Sequence, residues 1–325
     1  MATTRILALD GGGIRGVVSV VLLERLSAIP SLAGWLARAQ VLAGASTGAL
    51  IALGLARGLT LATLRSLYET KGRAIFDDSF LDDLIDVGKI VGADYDNRRL
   101  QRELKAALGE ATTLGDLGRR VVVPTFDLDN REDLERAVAA GELAAADLEA
   151  RRTWKPKVFH NFPGSDSDRD ALAWRVGTAA TAAPTYFPTF DGYIDGGVYA
   201  NNPSLIAVVQ TQDARNAEPR PRLDELVVLS VGTGASLSYV RGQRLDWGYA
   251  QWARPLVEVM LEGVSGIADY QCGKLLADRY HRLAPVFPPG VRMPLDAVAR
   301  VPEMIAFAES VDLTAARRFL EREWL

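Results

Sequence analysis

Twice near the N-terminus, a short apolar run ends in a glycine-rich turn and passes at once into an apolar segment of helical spacing. Arg5–Leu9 leads into Asp10-Gly11-Gly12-Gly13-Ile14-Arg15-Gly16 and a stretch reaching Leu26. Val41–Ala43 leads into Gly44-Ala45-Ser46-Thr47-Gly48 and a stretch reaching Leu55. Strand, tight turn and helix in alternation predict an α/β fold with a mainly parallel sheet. Later text fits the same plan. Val121–Leu128 and Leu226–Gly232 read as buried strands, Arg98–Leu108 and Asp168–Ala180 as helices, Pro203 as the first residue of a helix, and Asp129–Arg152 as a helical surface excursion. Beyond Gly242, Asp246–Leu276 and Asp296–Trp324 read as helices around a strand-like YHRLAPVF. No repeat, low-complexity linker or charge block divides the chain. The expectation is one domain over residues 1–325, with a core of about 5–234 and a helical C-terminal cap of about 243–325.

The uncharged stretch from Ala39 to Ala56 is nearly long enough to span a membrane, but Gly44, Ser46, Thr47 and Gly48 in its middle favour a buried strand–turn–helix. The formal charge of −4 gives no footprint for a nucleic acid polymer. Cys272 is the only cysteine and there are two histidines, which excludes an intrachain disulfide and argues against a dedicated Cys/His metal site. The N-terminus lacks the basic-then-apolar layout of a signal peptide, so a cytoplasmic location is expected, with room for peripheral membrane contact.

Gly44-Ala45-Ser46-Thr47-Gly48 matches G-x-S-x-G. A serine on a sharp strand-to-helix turn projects its hydroxyl, and glycines two residues either side let neighbouring backbone pass close. The bland alternative is a small-residue turn that packs a helix on a strand. The Gly11–Gly13 turn offers backbone amides at a helix N-terminus, suited to a phosphate or a tetrahedral oxyanion. Gly11, Gly13 and Gly16 also fit the dinucleotide pattern G-x-G-x-x-G. That pattern expects an acidic residue at the end of the second strand; Ser31–Ala43 contains no Asp or Glu, and no Walker lysine follows. The oxyanion reading is therefore preferred.

A serine nucleophile needs a proton acceptor. His160 and His281 sit in strand-like text with no turn to display them. Asp195 follows Ile194 at the end of a strand-like run and precedes Gly196 and Gly197, a turn that would expose its carboxylate. Partial burial would raise its pKa from the ordinary 3.9 or so toward a useful base.

Together, DGGGIRG at 10–16, GASTG at 44–48 and DGG at 195–197 resemble the patatin-like phospholipases, in the family's order. TLGDL at 113–117, ATAAPTYFP at 180–188, NNP at 201–203 and SVGTG at 230–234 extend the likeness. The resemblance implies a three-layer α/β/α sandwich and a Ser–Asp dyad, with Ser46 as nucleophile and Asp195 as proton acceptor. Gly11, Gly12 and Gly13, with Arg15, would form the oxyanion hole. Gly44, Gly48, Gly196, Gly197 and the pair Asn201 and Asn202 would support the turns. The implied reaction is hydrolysis of a phospholipid or other lipid ester through an acyl-serine, with no metal or cofactor. Ala49 stands where the family often has a glycine, a departure that concerns helix packing.

Acyl carrier protein transacylases share G-x-S-x-G but usually place His before the serine, where this chain has Ala45. An inactive anion- or nucleotide-binding module and a storage protein are further alternatives. Trp247, Tyr249 and Trp252 suit a lipid surface, a core or a homo-oligomer contact, and the sequence leaves these open. Some bacterial relatives are effectors switched on by a partner or a cyclic nucleotide; no motif here decides the matter.

Overall fold

A computed structural model describes residues 3–72, 97–184, 186–237 and 248–325; Thr185, Asp246 and Trp247 lie outside the described residues, as does the side chain of Tyr249. In chain order the strands are β1 (Thr4–Leu9), β2 (Val41–Gly44), β3 (Arg120–Asp127), β4 (Lys155–His160), β5 (Tyr193–Asp195), β6 (Leu226–Val231) and β7 (Tyr280–Leu283). The first helices are α1 (Gly16–Ser27), α2 (Thr47–Arg57), α3 (Leu61–Ser66), α4 (Asn97–Leu108), α5 (Arg131–Ala139) and α6 (Ala173–Ala180). They are followed by α7 (Gly197–Ala200), α8 (Ser204–Thr211), α9 (Tyr249–Leu276), α10 (Val301–Ser310) and α11 (Thr314–Phe319).

One sheet runs β4-β3-β2-β1-β6-β7. The four pairings from β3 across to β7 are parallel, and β4 and β5 both join β3 antiparallel. Strands covered on both faces must be apolar throughout, and β6, LVVLSV, is buried at every residue. Leu7, Leu9, Leu42, Val121, Leu229 and Leu283 face a layer that includes α1, α2, α6, α10 and α11. Ile6, Ala8, Val41, Ala43, Val122 and Val228 face the opposite layer, with residues of α8 and Leu276 of α9. The expected α/β/α layering and mainly parallel sheet are therefore present. The uncharged stretch at 39–56 divides into β2 and α2, and no single helix among the described residues is long and apolar enough to cross a membrane.

The pairing of β5 matters most for function. A strand has two edges for hydrogen bonding. β4 occupies one edge of β3 from Val122 to Asp127. β2 occupies the other only as far as Val122, where it meets Ala43. β5 then takes up the remainder of that edge, with Asp195 opposite Thr125 and Tyr193 opposite Asp127. The chain that leaves the sheet at Gly44 thus makes room for the strand that carries Asp195.

Two local expectations change. The helix expected over Asp168–Ala180 starts at Ala173, because Asp168 accepts the His160 amide at 3.1 Å and pairs with Lys157 at 2.5 Å. A short polar side chain that binds backbone in this way competes with helix formation. Pro203 stands just before α8, whose first residue is Ser204. The strand expected in YHRLAPVF is β7, which extends the sheet beside β6, while α10 packs on α1.

The start of β3 is held by Asn161, which is fully buried. Its Oδ1 accepts the Val121 amide at 2.7 Å, and its Nδ2 donates to the Leu114 and Arg119 carbonyls at 2.8 and 3.0 Å. Asn161→Leu leaves three buried backbone groups without these partners. Urea denaturation should show a loss of about 2–4 kcal/mol relative to the wild type.

Candidate active site

Ser46 lies between β2 and α2 at φ 51° and ψ −126°, a region that residues other than glycine rarely enter. Such backbone costs about 1–3 kcal/mol and persists only where its surroundings enforce it. Here the surroundings are backbone. A Cβ on Gly44 would come 2.1 Å from the Gly48 carbonyl oxygen, and one on Gly48 would come 2.1 Å from the Leu9 carbonyl oxygen. The two glycines let the strand, the turn and the end of β1 touch. Ala49, which stands where the family often has a glycine, is fully buried and donates its amide to the Ser46 carbonyl at 2.9 Å. Thr47 opens α2, and its hydroxyl is hydrogen-bonded to that of Tyr68. The positive end of α2 thus points at the serine.

The glycine turn after β1 lies alongside. A Cβ on Gly11 would sit 3.1 Å from the Cβ of Ser46 and 2.2 Å from Asn201 Oδ1, so no larger residue fits between the three loops. Of the three amides expected to face an oxyanion, that of Gly11 donates instead to the Asn201 carbonyl at 3.0 Å. This bond joins the turn to the loop after Asp195, and it leaves the amides of Gly12 and Gly13 as the candidates to face an oxyanion. Gly13 takes φ +56° and packs on the Leu295 carbonyl. Arg15 ends the short 3-10 turn that leads into α1.

Asp195 ends β5 and is 5% exposed. Its Oδ1 accepts the Gly197 amide at 2.7 Å, and the Asp195 amide donates to the Ala182 carbonyl at 2.9 Å. Burial pushes the carboxyl up to about 6, while interaction with the Ser46 side chain and the Gly197 amide opposes that rise. Gly196 lets the turn lie flat on β3, because a Cβ there would meet the Pro124 carbonyl at 2.3 Å. A buried carboxylate with a raised pKa, interacting with a serine side chain on a strained turn, can accept a proton as the serine attacks a carbonyl.

Both histidines lie elsewhere. His160 is buried at the end of β4 opposite Val122, away from the Thr125 end where Asp195 sits. His281 stacks on Phe319 at 5.2 Å, and burial lowers its pKa.

A family model for patatin-like phospholipases matches residues 7–208, a span that contains both glycine turns and the Asp195 turn. The chain belongs to the patatin-like phospholipase family. It is 29% identical to CotR of Bacillus subtilis over the whole of this chain and 99% of that protein. It is 28% identical to a cGAMP-activated phospholipase of Pseudomonas aeruginosa over 92% of this chain and 83% of the relative. It is 30% identical to the 85/88 kDa calcium-independent phospholipase A2 of Rattus norvegicus, over 71% of this chain and 27% of the relative.

This patatin-like chain uses more residues around the site than the sequence motifs suggested. Thr233 of the SVGTG run donates its hydroxyl to the Gly11 carbonyl at 3.0 Å. Ser265, in the middle of α9, accepts from Asn201 Nδ2 at 3.0 Å through its hydroxyl and from Asn202 Nδ2 at 3.4 Å through its carbonyl. Nothing in the local sequence marks Ser265, which lies some sixty residues from its partners. Ala182 and Pro184 precede β5 as the ATAAPTYFP stretch suggested, with Ala182 touching the Asp195 backbone.

Two pH effects follow from Asp195. If it acts as the base, kcat/KM rises with pH through an apparent value near 6. Its folded pKa lies above the ordinary 3.8, so between about pH 4 and 6 the folded chain holds a proton that the unfolded chain releases, and stability falls as pH rises through that window. Asp195→Asn should therefore be more stable than the wild type by about 1–3 kcal/mol at pH 8, with the difference vanishing near pH 4 in denaturation titrations.

Proposed function

We propose that this protein hydrolyses acyl esters of phospholipids or related lipids, with Ser46 as nucleophile and Asp195 as its base. The observation that carries the reading is the interaction of the Ser46 side chain with the buried Asp195 carboxylate, with Gly11 of the glycine turn packed against Ser46. Family membership supports lipid hydrolysis, and two phospholipase relatives supply the substrate class.

The reaction takes two symmetrical halves. Ser46 Oγ attacks the acyl carbonyl carbon while Asp195 accepts the hydroxyl proton. The carbonyl oxygen becomes an oxyanion that accepts hydrogen bonds from Gly12 and Gly13, at the N-terminal end of the turn leading into α1. Collapse breaks the carbon–oxygen bond to the lipid alcohol, which leaves with the proton held by Asp195. Water then attacks the acyl-serine, Asp195 accepts its proton, and the fatty acid departs as Ser46 recovers its hydrogen. In water an aspartate is too weak a base for this. Burial that lifts its pKa to about 6 brings it closer to the hydroxyl it must deprotonate, while leaving it ionised at neutral pH.

Substrate is expected to be taken from a membrane surface, and the cGAMP-activated relative makes a cyclic nucleotide a reasonable activator to include in assays. Trp252, on α9, remains a candidate for lipid contact.

Fluorophosphonate probes should label the wild type and leave Ser46→Ala unlabelled. On defined phospholipid vesicles, with and without cyclic dinucleotides, Asp195→Asn should lose about 10²–10⁴-fold in kcat. His281→Ala and His160→Ala, where folded, should keep most of it. A large loss in either folded histidine variant rejects the Ser46–Asp195 assignment.

A further inference from the structure

Arg282 lies on β7, beyond the span matched by the family model. Strand register places it in one row with Ser230 of β6 and Ala8 of β1, on the sheet face covered by α8 and the end of α9. Asp10 follows Ala8 by two residues and so projects to the same face.

The guanidinium bridges two loops. Nη1 donates to Asp10 Oδ1 at 2.7 Å and to Ser230 Oγ at 2.8 Å, and Nη2 donates to Asp10 Oδ2. The Ser230 hydroxyl passes its own hydrogen to Asn202 Oδ1 at 3.2 Å, an oxygen that also accepts the Ser204 amide at 3.1 Å. Asp10 directly precedes the glycine turn; Asn202 closes the turn that begins at Asp195. Asp10, Ser230 and Asn202 are all buried.

We propose that Arg282 is a positioning residue for ester hydrolysis. Through Asp10 on one side, and Ser230 and Asn202 on the other, it holds the oxyanion turn and the base turn at a fixed separation. The inference rests on the reading of those two turns given under Proposed function.

Stability alone is a poor reason to bury this ion pair, since apolar residues of similar volume are often as stable. An apolar core, however, cannot fix the orientation of a carboxylate. The planar guanidinium can, because its two parallel bonds to Asp10 set an angle as well as a distance, while its remaining Nη1 hydrogen reaches Ser230. Bonds in sequence in a dry interior also polarise one another, so the Arg282–Ser230–Asn202 relay is stiffer than its separate links. The Gly11–Asn201 backbone bond at 3.0 Å also joins the two turns, so loss of the clamp should loosen the site without dissolving it.

The test uses Ser230→Ala, which removes only the relay hydroxyl, and Arg282→Lys, which keeps the charge without the fork. Hydrogen exchange should quicken about tenfold in residues 10–16 and 195–202 together, with α2 unchanged. On a vesicle substrate, kcat should fall about fivefold for Ser230→Ala and roughly 10- to 100-fold for Arg282→Lys, with KM within about twofold of wild type. Exchange that stays at the wild-type rate in either turn of folded Ser230→Ala overturns the proposal, as does a rise in KM with kcat unchanged. Should Arg282→Lys fail to fold, Ser230→Ala decides alone. A wild type that cleaves no ester rejects the hydrolase reading instead, and the exchange rates then settle the clamp by themselves.

Discussion

The site depends on a handover along one edge of β3. β2 pairs with β3 up to Val122 and then departs through Ser46; β5 arrives from the other direction and pairs from Thr125 onward. Each strand stops where the other begins, so the residue that ends one and the residue that follows the other are brought together. The sheet's hydrogen bonding sets this meeting. Neither turn could shift by one residue without reversing which side chains face the core.

Close packing of backbone then does what side chains cannot. Gly11, Gly44, Gly48 and Gly196 each sit where a Cβ would strike a neighbouring loop, mostly its backbone, at 2.1 to 2.3 Å. Glycine is the one residue that lets three turns approach so closely, and the approach encloses Asp195. Enclosure raises the carboxyl pKa, whereas interaction with Ser46 and the Gly197 amide restrains the rise. The same packing therefore assembles the site and sets the pKa of its carboxyl. It also destabilises the folded chain at neutral pH, because an ionised carboxylate is held where water would solvate it better.

Much of this was legible in the chain itself, for a physical reason. Parallel strands covered on both faces leave unbroken apolar runs, and tight turns leave glycines, so β1, β2, β3 and β6 and the turns after β1, β2 and β5 stand out. Local sequence also distinguishes Asp195 from the two histidines, because only the aspartate has a turn to present it. The different bonding of the three glycine amides was not legible. Gly11 looks equivalent to its neighbours until the Asn201 carbonyl is seen to take its amide. Ser265 and Arg282 were hidden because their partners are tens or hundreds of residues away, and a lone polar residue in a helix or strand has many ordinary explanations. The helix expected from Asp168 failed because side-chain bonding to His160 and Lys157 outweighed helical propensity.

The most direct test of the central geometry is a high-resolution crystal structure of the fluorophosphonate adduct. It should show phosphorus bonded to Ser46 Oγ, a phosphoryl oxygen accepting from the Gly12 and Gly13 amides, and the Asp195 carboxylate within hydrogen-bond distance of Ser46 Oγ. An adduct on another residue, or one at Ser46 whose phosphoryl oxygen faces away from both amides with Asp195 out of reach, would contradict it.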